Sequence, residues 1–232
     1  MMTPQSFLFV FAHPDDEVSF SGMVLECLRA KHRVTFVCAT NGQARLPQGE
    51  TVHFRKRQME EAAKRLGVDH LIFLDLEDGS LATGYDFLKI EEKIAEIIQK
   101  TQPNIIATFP PDGITRHPDH LVIHQLTKRA FFSTREPHRH QELHYWCRGH
   151  EEFLQTFLKK PPYELLQKNC WKLEKVVPTI TLDVRHHFHQ KLQALYCHEG
   201  QRLIRYLREL SEEKQKLFLG YEYFYSAFSN GL

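Results

Sequence analysis

The chain has 232 residues, 42% of them hydrophobic and 25% charged, with a formal net charge of +1. That length suits one domain with a buried core, and so even a charge balance argues against nucleic acid as the main partner. The five cysteines are odd in number and form no C-x-x-C pair, so neither a disulfide framework nor a cysteine zinc site is expected, and a reducing, cytoplasmic setting fits. The apolar run over 7–12 is far too short to cross a membrane, and it lacks the basic start and cleavage site of a leader.

Residues 6–12 (SFLFVFA) are continuously apolar, as in a strand buried on both faces. Residues 17–32, with Val18, Met23, Val24, Leu25 and Leu28, predict a helix. A second strand follows at 33–40 (RVTFVCAT), then a loop at Asn41–Gly42. The charged segment 54–67 predicts a helix closing on Gly67, a usual C-terminal stop. Residues 70–76 (HLIFLDL) read as a third strand, and over 85–100 Phe87, Ile90, Ile94, Ile97 and Ile98 share one helical face. A fourth strand at 104–110 runs into a Pro-Pro-Asp-Gly loop. Strands alternating with helices predict an α/β fold, a Rossmann-like three-layer sandwich with a mostly parallel sheet and helices on both faces. Beyond it, 133–178 reads as loops and short helices, 179–183 as a late strand, and 191–215 as a helical pattern broken at His198, Glu199 and Gly200. The aromatic stretch 218–228 predicts core or a subunit contact, and so a possible homo-oligomer. The whole chain is expected to form one domain, with 1–132 as the core carrying the motifs and 133–232 completing the pocket.

Two segments begin His-Pro-Asp: AHPDDE (12–17) after the first strand and HPDH (117–120) after the fourth. In open parallel sheets ligands bind at the carboxyl ends of strands, so both loops are natural site positions. Pro14 and Pro118 suit the first position of a helix, which puts Asp15, Asp16 and Asp119 in first turns. Each segment alone is a good helix start and nothing more. Together they bring His13, Asp15, Asp16, Glu17, His117, Asp119 and His120 to one sheet rim. Two imidazoles and a carboxylate are a usual ligand set for catalytic zinc, though other metals use the same trio, and residue types alone leave open which three ligate. Asp15 and Asp16, roughly 100° apart on a helix, are expected to divide the work between them.

AHPDDE with HPDH resembles the LmbE-like, or PIG-L, zinc-dependent deacetylases, which remove N-acetyl groups from glucosamine-containing compounds. TNG (40–42), the helix RKRQMEEAAKRLG (55–67), TLDV (181–184) and KLQALYCHEGQ (191–201) extend the resemblance in order. It implies His13, Asp16 and His120 as ligands of one zinc per chain, Asp15 as general base, His117 as general acid and Asp119 as the residue orienting or tuning His117, which needs a nearby acid to be charged near neutral pH. It implies substrate contacts from Arg55, Asn41 and His198, and a small amino-sugar conjugate as partner; the chain lacks the membrane segment of the lipid-anchor relatives, so no membrane is expected. Arg55, Asn41 and His198 also have bland readings, as a solvated helix residue, a turn residue and a structural histidine. Gln43 and Gln58 stand where many members carry an acid, which bears on substrate identity. His124 is expected to pack or face solvent; His138, His140, His144 and His150 read as a solvated His-rich loop. The rival readings are a metal-dependent hydrolase of another amide or ester, and a non-catalytic sugar-binding protein.

Overall fold

The computed structural model describes residues 3–45, 51, 53–136, 139–147 and 177–229. The expected sandwich is present. Strands β1 (Ser6–Phe11), β2 (Arg33–Thr40), β3 (His70–Leu76), β4 (Ile105–Thr108), β5 (Glu142–Cys147), β6 (Ile180–Asp183) and β7 (Tyr221–Ser229) form one sheet in the order β3-β2-β1-β4-β5-β7-β6. β3, β2, β1, β4 and β5 run parallel; β7 is antiparallel to both β5 and β6. The chain winds outward from β1 through β2 to β3 and then returns to place β4 on the other side of β1. This reversal is the topological switch point, and the crevice it opens lies at the carboxyl ends of β1 and β4.

β1 shows why the sheet is covered twice. Phe7, Phe9 and Phe11 enter one core with helices α1 (Ser21–Arg29) and α2 (Phe54–Leu66), where Phe20, Phe36 and Met59 are also buried. Leu8, Val10 and Ala12 enter the other, with Ile90, Ile94 and Ile98 of α3 (Phe87–Thr101) and Ile123, Leu126 and Ala130 of α5 (Pro118–Ser133). Alternate side chains of a strand point to opposite faces, so a wholly apolar strand serves two helical layers. A short turn of helix, α4 (Gly113–Arg116), precedes α5.

Five expectations are corrected in detail. The helix expected over 17–32 is a 3₁₀ turn, Asp16–Phe20, followed by the shorter α1. Asp15 lies outside both, at φ 105°, so the two neighbouring acids do not share a first turn. Phe87, expected on the buried face of α3, is exposed at its first position, one turn before the apolar stripe meets the sheet. The loop reading of 133–178 misses β5, whose alternating residues suit a strand. His138 and His150 lie outside the described residues. His140 and His144 pair with Glu142 at 2.9 Å and 2.6 Å, and His144 is buried in the sheet rather than in a solvated loop.

The C-terminal layer closes over the rim. The helix Phe188–Leu195 packs on α2, and Val18, Phe188, Leu195, Ile204 and Leu207 form a third apolar cluster. A buried ion pair ties this layer to α1. Glu222 of β7 accepts the Gly22 and Met23 backbone N–H groups at 2.6 Å and 2.8 Å, and Lys191 Nζ lies 2.5 Å from it. The carboxylate therefore sits on the positive end of α1, where anions are favoured. Gly22 is needed for the approach: a Cβ there would meet Glu222 Oε1 at 2.7 Å. Replacing Lys191 by Met leaves Glu222 buried and short of its counter-charge, so Lys191→Met should lower unfolding free energy by about 3–5 kcal/mol in denaturant titrations.

Candidate metal and catalytic centre

The two His-Pro-Asp loops do meet at the switch point, and their side chains converge. His13 Nδ1 lies 3.2 Å from His120 Nε2 and 3.5 Å from Asp16 Oδ2, and Asp16 Oδ1 lies 3.4 Å from His120 Nε2. Donors bonded to one tetrahedral zinc at its usual bond lengths stand about 3.4 Å apart; the two ring nitrogens are near that spacing, and each has a different oxygen of the Asp16 carboxylate at a similar distance. The second nitrogen of each ring is engaged. His120 Nδ1 is 2.9 Å from the Gly113 carbonyl oxygen, and His13 Nε2 is 3.0 Å from both Asp78 Oδ1 and Asp119 Oδ2. A ring that donates through one nitrogen presents the other bare, and both bare nitrogens face the shared point.

Local backbone builds these directions. His117 is the N-cap of α5, its Nδ1 accepting the Asp119 N–H at 3.2 Å, and Pro118 takes the first helical position as the sequence suggests. Within α4, Ile114 and Arg116 have positive φ, 68° and 58°, and Asp112 holds the bend by accepting the Ile114 N–H at 2.8 Å. A β-branched residue in that region is strained, and the strain sits where the Gly113 carbonyl must reach His120. Phe109 stacks flat on the His120 ring, with centroids 4.0 Å apart.

Charge explains why this cluster wants a cation. Burial presses the His13 pKa down, yet Asp119, Asp16 and Asp78 together raise it well above the ordinary value. Burial pushes Asp16 up, but His120 and His13 outweigh it and hold that carboxyl far below the usual range. In the metal-free chain these carboxylates favour a proton on His13; a divalent ion at His13 Nδ1 and His120 Nε2 would displace that proton and supply more positive charge. The donor set therefore fits a metal ion.

Asp15 points elsewhere. Its carboxylate lies 2.8 Å from Arg55 Nη2, which also donates to the Pro14 carbonyl. The Gln201 amide bridges the pair, its nitrogen donating to Asp15 Oδ2 at 3.3 Å and its oxygen accepting from Arg55 Nε at 3.0 Å. The Asp15 N–H donates to Glu17 Oε2 at 3.0 Å, and the other Glu17 oxygen pairs with His198 Nε2; both of these side chains are 0% exposed. This buried brace holds Asp15 in its left-handed conformation, which a non-glycine residue avoids unless its surroundings impose it. Burial, opposed by Arg55 and helped by Asp16, raises the Asp15 pKa to about 6.

Four expected roles are altered by this geometry. His198 does not line the pocket; it is fully buried on Glu17. Arg55 is only 3% exposed and is committed to Asp15 and the Pro14 carbonyl rather than free for substrate. The Asp119 carboxylate takes the Gly79 and Leu81 N–H groups at 2.7 Å and 3.1 Å and turns to His13, acting on His117 as a nearby charge. His117 accepts through Nδ1, so its ring proton belongs on Nε2. Burial, with His13 and His120 beside it, lowers its pKa to about 4, so the ring is neutral near pH 7 rather than charged.

Asn41 stands in the loop after β2 with its buried Oδ1 unpartnered among the described residues, consistent with a contact still to be made. His124 packs as expected, 2.8 Å from the Phe109 carbonyl oxygen and against Tyr145. Gln58 anchors the break before Gln201 by donating to the Glu199 carbonyl at 3.1 Å. Asp78 went unseen in the sequence. Its signal was position alone: it follows β3 at the same sheet rim.

Residues 8–131 match the profile of the PIG-L family, described as GlcNAc-PI de-N-acetylase. The chain belongs to the PIG-L family. A probable N-acetyl-alpha-D-glucosaminyl L-malate deacetylase 2 of Bacillus cereus is 34% identical over 53% of this chain and 59% of its own length. The chain spans about half the length of the first curated relatives it matches, at 59%, 50% and 45%. Two solved structures share the fold. The N,N'-diacetylchitobiose deacetylase of Pyrococcus horikoshii covers 93% of this chain and 75% of its own at 20% identity, with a TM-score of 0.64. The 4-carboxy-2-hydroxymuconate hydratase of Pseudomonas putida covers 98% of each at 17% identity, with a TM-score of 0.69. PIG-L membership thus rests on the region holding both His-Pro-Asp loops, while the solved structures speak to the fold alone. Among the described residues no helix is long and apolar enough to cross a membrane.

Glu17 and His198 generate a test. His198→Ala leaves a buried carboxylate without its partner, so stability should fall by about 3 kcal/mol or more. In any steady-state turnover the chain supports, the variant should show a lower kcat at nearly unchanged KM. A raised KM with unchanged kcat would return His198 to the pocket wall.

Proposed function

We propose that this chain is a zinc-dependent de-N-acetylase of an N-acetylglucosaminyl conjugate or a related small glycan. The observation that carries the reading is the convergence of His13 Nδ1 and His120 Nε2, 3.2 Å apart, on the Asp16 carboxylate, with Asp15 braced beside them. His13, Asp16 and His120 would hold the ion, and Asp78 and Asp119 would fix the His13 ring from behind. When bound, a zinc ion there supplies an acidified water and a polarised amide carbonyl. Asp15 takes the proton from the attacking water, since its pKa of about 6 keeps it ionised at neutral pH yet basic enough to accept. His117 offers its Nε2–H to the oxygen on which charge develops, a fixed donor that needs no reorganisation. Asp15 then returns its proton to the departing amine. Arg55 and Gln201 aim Asp15, and Asn41 Oδ1 is an acceptor for a sugar hydroxyl.

The curated relatives support the substrate class: their names place the same family on N-acetylglucosaminyl malate, phosphatidylinositol and inositol conjugates. We place residues 1–232 in one domain, with 133–232 completing the pocket; Lys191, His198, Gln201 and Glu222 support this by reaching back to the core. Free Cys27, Cys38, Cys147 and Cys197 accord with a reducing cytoplasmic setting. A second reading is a metal-dependent hydrolase of another amide or ester, since the same ion and base would serve either bond.

Metal-stripped protein should be inactive and should recover with zinc. Asp15→Asn should keep its zinc while losing about 100- to 10,000-fold in kcat, and Asp16→Asn should lose the zinc itself. Acetate released from a panel of N-acetyl amino-sugars and unrelated amides separates the two readings. Because the base must be ionised, kcat/KM should fall as pH drops through about 6. A flat profile down to pH 4.5 would remove Asp15 as the base.

A further inference from the structure

A second group of ligating side chains lies where α1 meets the 3₁₀ turn Arg185–His187. Glu26 Oε1 is 2.5 Å from His186 Nε2 and 3.0 Å from His187 Nε2, and the two rings stand side by side with centroids 4.1 Å apart. One ligand atom from each of the three lies within 4.8 Å of the others. Glu26 is 160 residues from His186 in the chain, so the fold and not local sequence makes the cluster. We propose that Glu26, His186 and His187 form a second divalent-metal site, of the zinc class, that fastens α1 to the C-terminal layer.

Two adjacent imidazoles aim their Nε2 atoms at one carboxylate oxygen. That arrangement holds two protons pointed at a common centre, and a single ion can replace both. The ligand atoms need only open from 2.5 Å and 3.0 Å to about 3.4 Å to surround it. His187 is 12% exposed, whereas His186 is 54% exposed and has solvent on its outer side. Arg29 occupies the other oxygen, Oε2, with Nη2 at 2.6 Å and Nε at 3.1 Å, which leaves Oε1 as a single-oxygen ligand. Its guanidinium opposes a cation, but it is 67% exposed and its charge is screened by water. Two imidazoles and one carboxylate suit zinc, and leave the remaining position to water.

The turn runs straight into Phe188–Leu195, the helix that carries Lys191 and leads to His198. An ion here would staple that layer without touching the catalytic centre. Zinc binding is to be counted by equilibrium dialysis of the full chain against zinc in a competing chelator, with thermal unfolding alongside. The wild type should bind one equivalent more than Glu26→Gln or His186→Ala, whatever the central site holds, and its Tm should rise as that equivalent binds. Each substitution should weaken the additional equivalent by about tenfold or more, leave the enzyme's activity with the central site filled unchanged, and unfold at the wild-type temperature in chelator. His140→Ala, at the other histidine–glutamate cluster, should bind as the wild type does. Equal stoichiometry and affinity in the wild type, Glu26→Gln and His186→Ala would overturn the proposal, as would loss of the additional equivalent in His140→Ala alone.

Discussion

The constraint on which the rest depends is buried negative charge. Asp16, Glu17, Asp78 and Asp119 all lose most of their water at the carboxyl rim of the sheet, and each must be compensated within a few ångströms. The chain assigns a partner to every one. His13 answers Asp78 and Asp119 through one nitrogen and faces Asp16 with the other; His198 answers Glu17; Arg55 answers the neighbouring Asp15. Asp16 sits against the two ring nitrogens that converge on it, which is where a cation belongs.

That arrangement makes the C-terminal layer part of the centre. The first motif supplies Asp15 and Glu17, but the side chains that hold them, His198 and Gln201, arrive from a region some 180 residues later. Lys191 and Glu222 fix the same layer to the start of α1, directly after the 3₁₀ turn that carries Asp16 and Glu17. Substituting any of these should be felt at Asp15 through its backbone, because a left-handed φ of 105° persists only under restraint.

The fold was legible because its signals are periodic. Continuous apolar strands, the stripe Ile90, Ile94 and Ile98, and Gly67 at a helix end each report a local rule that burial then obeys. The pairing of AHPDDE with HPDH was legible too, since the switch-point rule places both loops at one crevice. Side-chain direction was not. Whether Arg55 faces substrate or Asp15, and whether His198 lines the pocket or supports Glu17, depends on contacts between residues far apart in the chain, and no spacing encodes them. The left-handed Asp15 was hidden for a related reason: the helix start that Pro14 suggests is overridden by the Glu17 carboxylate taking the Asp15 N–H.

A deacetylase and a hydratase both share the fold of this chain, so the fold alone does not name a reaction and the side chains of the site must. Here the decisive difference lies between the two carboxylates of Asp15 and Asp16. They are neighbours in sequence, yet their environments push their pKa values in opposite directions: two imidazoles hold Asp16 ionised, while burial raises Asp15 to about 6 despite Arg55. A permanently ionised acid is suited to hold a metal ion and a poised one to move a proton. Adjacent residues on a regular helix would share too similar a setting for that division. The kink at Asp15 is what separates them, and the Glu17–His198 brace is what keeps the kink.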